Sequence, residues 1–77
     1  MSSFKLSEDY IELAKLLKAA GIAGSGGEAK ALIIEGRVKV NGEEEKRKGR
    51  KLRGNDCVQI ENEIINVLSK DAPEATP

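Results

Sequence analysis

The chain has no histidine and no tryptophan, one cysteine and two aromatic rings among 77 residues. With Cys57 the only thiol and no imidazole present, zinc-ligand spacing is missing, and nothing is at hand to activate the thiol as a nucleophile. A single cysteine also excludes an internal disulfide and agrees with a reducing compartment. Phe4 and Tyr10 are the only rings, so the core must come from Leu, Ile, Val and Ala. That leaves little room for a deep pocket, and reading single strands by stacking bases on aromatic platforms is almost out of reach. Long apolar runs are absent too. The longest aliphatic stretch, Ala31-Leu32-Ile33-Ile34, is far too short to span a bilayer. The first residues carry Ser, Lys, Glu and Asp where a signal peptide needs an apolar block. A soluble cytoplasmic domain is expected, without membrane, metal or cofactor, and one small core supplies only about 3–5 kcal/mol of net stability.

Net charge is also lacking, with 13 cations balanced by 13 acids, but the balance hides a divided molecule. Residues 46–53 read Lys-Arg-Lys-Gly-Arg-Lys-Leu-Arg, with no acid among them. Beyond Gly54 the acids Asp56, Glu61, Glu63, Asp71 and Glu74 face only Lys70. Crowded like charges repel, and a partner with closely spaced negative charge relieves the repulsion. Nucleic-acid phosphates are the commonest such partner, because each neutralised phosphate releases condensed counterions. Glu43, Glu44 and Glu45 sit beside the cations as local charge balance; a hairpin arm is a poor place for catalytic carboxylates.

The apolar pattern separates two helices from a set of short strands. Tyr10, Leu13, Ala14, Leu17 and Ala20 recur at helical spacing, with Glu12, Lys15 and Lys18 turned away. Ser7 is a credible N-cap for this first helix and Gly21 a natural stop. Ser25-Gly26-Gly27-Glu28 opens a second helix as a capping box, in which the Glu28 side chain reaches back to the Ser25 N–H. Ala29, Leu32 and Ile33 form its buried face, and Gly36 ends it. The period then changes to two. Val38 and Val40 lead into Asn41-Gly42, a type I′ hairpin signal with φ > 0 at both central residues. Residues 43–46 return, and 47–53 read as an extended loop with only Leu52 to bury. After a turn at Gly54-Asn55-Asp56, strands are expected at 57–60 and 63–68, with Phe4-Lys5-Leu6 as a short edge strand. Residues 1–68 make one domain, and 69–77, with two prolines, read as a disordered tail.

Leu17-x3-Gly21-x3-Ser25, Ala29-x2-Leu32-Ile33-x2-Gly36-x-Val38-x-Val40-Asn41-Gly42 and Gly54-Asn55-Asp56-x-Val58-x-Ile60 together resemble the S4 RNA-binding domain over about residues 7–68. Ser25 to Lys30 and Gly49 to Leu52 are similar to its small stand-alone bacterial members. The resemblance implies an α+β fold, the αL motif: two packed helices, about 8–20 and 26–35, followed by a small, bent, mostly antiparallel sheet. It also implies RNA lying across the second helix, its first turn and the basic loop. The residues agree, since a helix N-terminus presents free amides and a positive dipole end. Gly26 and Gly27 hold no side chain against a phosphate, although each costs about 1 kcal/mol relative to Ala in a helix. Many members carry Arg-Leu-Asp and Ser-Arg where this chain has Glu12-Leu13-Ala14 and Ser25-Gly26, so the footprint is expected to shift toward residues 46–53.

The expected RNA-binding residues are Ser25, Gly26, Gly27, Lys30, Arg37, Lys39, Lys46, Arg47, Lys48, Arg50 and Lys51. The expected function is non-enzymatic: a monomeric, ribosome-associated module that holds structured RNA, ribosomal or tRNA-like, by shape and backbone charge. The alternative is a protein-interaction adaptor whose basic loop docks an acidic partner. Phosphates alone do not separate RNA from DNA.

Overall fold

The structure, a computed structural model, describes residues 2–72. Strand β1 (Ser2–Lys5) is followed by a short β2 (Ile11–Glu12), helices α1 (Leu13–Ala19) and α2 (Gly26–Ile34), and strands β3 (Val38–Val40), β4 (Glu43–Glu44), β5 (Lys51–Leu52), β6 (Cys57–Ile60) and β7 (Glu63–Leu68). The five-stranded sheet runs β1-β7-β6-β3-β4, antiparallel throughout except for the parallel pairing of β1 with β7, while β2 and β5 form a separate antiparallel ribbon. This is the expected α+β arrangement.

Both helices stop in the same way. The Ile22 N–H reaches the Leu17 carbonyl and the Gly21 N–H the Lys18 carbonyl; after α2, Arg37 and Gly36 repeat the pattern on Leu32 and Ile33. These are Schellman ends, which need a left-handed residue just past the helix, and the two glycines supply φ of 79° and 77°. Asn41 and Gly42, at φ 54° and 86°, make the expected primed turn between β3 and β4.

The core lies between the helices and one face of the sheet. Leu13, Leu16, Leu17, Ala29 and Ile33 pack with Val38, Val40, Val58, Ile60, Ile65 and Val67, and Leu52 closes the side under β5. Alternation along β3 and β6 puts their valines and isoleucine inside and Lys39 and Gln59 outside.

The start of the first helix differs from expectation. Residues 7–9 form a bend, Ser7 caps nothing, and α1 begins only at Leu13. Ile11 and Glu12 are instead drawn into pairing with Leu52 and Lys51. Burying Ile11 and Leu52 beneath that ribbon outweighs a local cap, which contributes only about 1 kcal/mol. The buried face of α1 is accordingly Leu13, Leu16 and Leu17, with Tyr10 and Ala20 exposed. Of the tail expected at 69–77, residues 73–77 lie outside the described residues. Residues 69–72 make a turn closed by the Ala72 N–H on the Ser69 carbonyl, and Lys70 pairs with Asp9 at 2.8 Å.

Candidate nucleic-acid interface

The basic loop is held in place at several points. Glu12 makes no side-chain cap for α1. The first amides of that helix donate instead to the loop, Leu13 N–H to the Arg50 carbonyl at 2.9 Å and Ala14 N–H to the Lys48 carbonyl at 3.0 Å. Helix-start amides lack intrahelical acceptors, so this contact serves both segments. Glu45 holds the loop from the other side. Its carboxylate accepts from the Arg47 N–H, Nε and Nη2, and from Arg50 Nη1 at 2.9 Å. At 8% exposure it is the one buried charged residue among those described. The fork from Arg47, helped by Arg50, lowers its pKa from 4.5 to about 2 against the opposing effect of burial. Glu43 and Glu44 remain exposed. The three consecutive acids, indistinguishable in the sequence, thus have different roles.

Beside the seated loop, α2 begins in the open. Ser25 Oγ accepts the Glu28 N–H at 3.1 Å, as expected. Glu28 Oε2, however, takes the Gly24 N–H at 3.2 Å in place of the anticipated Ser25 N–H. The amides of Gly26 and Gly27 are left without an intrahelical acceptor. A Cβ built on Gly26 would meet no atom within 4 Å, and one on Gly27 would touch only the Ser25 hydroxyl at 4.0 Å. Neither internal packing nor a positive φ therefore calls for glycine at these two positions.

A depression of about 390 Å³ has these glycines on its lining together with Lys15, Lys30, Lys48 and Gly49. Glu12 also lines it and pairs with Lys15 at 3.5 Å. Lys30 and Lys48 make no ion pair among the described residues. Of the expected contact residues, Gly26, Gly27, Lys30 and Lys48 thus come together, with Ser25 as their cap. The others lie apart from it. Lys46 pairs with Glu44 at 3.5 Å, and Arg47 and Arg50 share Glu45. Lys51 reaches over the Tyr10 ring. Arg37 is held by Glu61 and Glu35, which raise its pKa. Lys39 stands exposed on β3, opposite Glu44 and Gln59. Sequence reasoning missed Lys15. Its outward helical position was visible, but not that this side of α1 faces the start of α2.

Two helices on a small sheet, with a basic loop seated beside an open glycine helix start, define an α+β module with one concave cationic face. The chain belongs to the S4 domain family, whose profile matches residues 4–68. It is similar to YbcJ of Escherichia coli (strain K12), with 37% identity over 70 residues, covering 90% of this chain and all of YbcJ. It is 43% identical over 56 residues to RlbA of Bacillus subtilis (strain 168), named as a probable ribosome maturation protein, covering 73% of this chain and 79% of RlbA. The solution structure of Escherichia coli YbcJ aligns with a TM-score of 0.69 at 38% identity, over 88% of this chain and 87% of YbcJ; that structure is described as revealing an αL motif involved in RNA-binding. No helix among the described residues is long and apolar enough to cross a membrane, and no group of three or more His, Cys, Asp or Glu there is placed to hold a metal ion.

Proposed function

We propose that this chain is a non-enzymatic RNA-binding module of the cytoplasm, a monomer whose residues 1–68 hold structured RNA, ribosomal or tRNA-like, by its backbone and shape. One observation carries the reading: two helix-start amides without an intrahelical acceptor, on glycines that the fold itself does not need, lie beside Lys30 and Lys48, which have no ion pair among the described residues. A phosphate satisfies all of these groups at once, through amide hydrogen bonds, the positive end of α2 and flanking ammonium charge. Lys30 and Lys48 are the first contacts, with Lys15 beside them. Arg47 and Arg50, already committed to Glu45, position the loop and add longer-range attraction. The RNA-binding described for YbcJ and the ribosome maturation role in the name of RlbA favour RNA over an acidic protein partner.

Replacing Lys30 and Lys48 together by Ala tests this. Both are exposed, so melting should change little. The slope of log K against log[salt] for a mixed tRNA or rRNA-fragment pool, read by fluorescence anisotropy, should shrink by about 1.5–2 units, as expected for two phosphate contacts. An unchanged slope would remove the depression from the footprint.

A further inference from the structure

The ribbon of β2 and β5 carries a second feature. Ile11 opposite Leu52 and Glu12 opposite Lys51 set an antiparallel register, and continuing it by one position brings Tyr10 opposite Arg53. Because side chains alternate across a strand, Ile11 and Leu52 face inward while Tyr10, Glu12, Lys51 and Arg53 face outward together. The Lys51 Nζ lies 5.0 Å from the centre of the Tyr10 ring, and the Arg53 Cζ 5.5 Å. Tyr10, the sole tyrosine, remains 41% exposed. Lys51 and Arg53 have no ion pair among the described residues. Two cations therefore rest on an exposed ring.

Tyr10 also lines a hollow that adjoins the depression at the start of α2. Glu12 and Lys15 line both that depression and the hollow containing Tyr10. Glu8 and Asp9 also line the hollow, and Asp9 is occupied by Lys70. Those acids, together with Glu12 opposite Lys51 and paired with Lys15, disfavour phosphate on the β2 side and leave the β5 side, with Lys51 and Arg53, for a backbone.

We propose that Tyr10, Lys51 and Arg53 form a subsite for one unpaired nucleotide, the base stacking on the Tyr10 ring and the flanking phosphates meeting the two cations. The inference rests on the RNA reading of the Gly26–Gly27 depression and narrows its ligand to RNA with an unstacked residue beside a paired segment. On binding, the cations move from ring to phosphate, exchanging a weak exposed cation–π contact for charge-assisted hydrogen bonds. A base–aromatic stack is a sequence-tolerant interaction, so the subsite selects an unpaired position and no particular base.

The test uses two RNA hairpins of the same stem, one fully paired and one with a single bulged nucleotide. With no tryptophan present, Tyr10 is the only strong intrinsic fluorophore in the chain, so stacking is read directly from its quenching. The bulged hairpin should bind about tenfold more tightly and quench Tyr10. Tyr10→Ala should lose that preference while keeping the affinity and salt slope for the paired hairpin, and Tyr10→Phe should retain it. Melting of both variants checks that the ribbon still forms. Equal binding of the two hairpins by the parent without quenching would overturn the subsite alone, as would a preference that survives in a folded Tyr10→Ala. Failure of the parent to bind either hairpin would overturn the RNA reading together with the subsite. Quenching by a polyglutamate peptide as strong as by the bulged hairpin would assign recognition to the cations and also overturn it.

Discussion

The two helices start under opposite circumstances. At α1 the first amides are capped by carbonyls of the basic loop, no glycine is present, and the loop is anchored there. At α2 a side chain caps one amide, two glycines follow, and the end of the helix stays open beside the same loop. A helix N-terminus is a positive pole in either case. The pole of α1 is used within the fold to hold the backbone of a cationic segment, and that segment then supplies Lys48 to the rim of the open pole of α2. The difference depends on what reaches the amides: neutral carbonyls from within the chain at one, and at the other, in our reading, a phosphate from outside.

The contrast can be broken most severely at Glu45. Glu45→Ala removes the acceptor of four hydrogen bonds from Arg47 and Arg50 and should cost about 2–3 kcal/mol in urea unfolding. That is a large part of what so small a core provides. Because the folded pKa is depressed, this stabilisation is complete above about 4.5 and is lost as pH falls toward about 2. Glu45→Gln should therefore flatten the acid limb of the stability curve over that window. An acid limb unchanged in Glu45→Gln would mean that the ion-pair geometry does not persist in solution.

Gly26→Glu sharpens the contrast from the other helix. The new side chain enters open space in the first turn, where the dipole slightly favours an acid, so melting should hold or rise a little. RNA affinity should fall about tenfold, since the carboxylate occupies the proposed phosphate position. A folded variant that binds as the parent does would show that the open pole is not used.

The smallest effect is expected at the closed pole. Ala14→Pro deletes the N–H that meets the Lys48 carbonyl, in the first turn of α1, and adds a bias of Leu13 away from helical geometry. A loss of about 1 kcal/mol in chemical denaturation is expected, with a weaker fall in RNA affinity than for Gly26→Glu. Unchanged stability would mean that the loop holds its place without α1.

What was legible in the sequence was governed by neighbouring residues. The Asn41-Gly42 hairpin, the glycine stops at Gly21 and Gly36, the Ser25 cap and the alternation of β6 and β7 all follow from local geometry, and all are present. The misplaced first helix shows the limit. Ser7-Glu8-Asp9 has good cap chemistry, but Ile11 and Glu12 have partners some forty residues away at Leu52 and Lys51, and burial there prevails. Glu45 was hidden for the same reason, because only the fold separates it from Glu43 and Glu44. Lys15 and Tyr10 lay outside the expected footprint because their significance comes from the segments they face, namely the start of α2 and the outward side of β5.

The anchoring of the basic loop also bears on disorder. A run of six cations carrying a glycine would ordinarily sample many backbone states, and confining each residue to one costs about 1–2 kcal/mol of conformational entropy. Here Leu13, Ala14 and Glu45 confine residues 47–50 as the chain folds. A ligand arriving at the loop meets lysines and arginines whose main chain is already placed. The ordering penalty that weakens binding by flexible basic tails is then confined to the side chains.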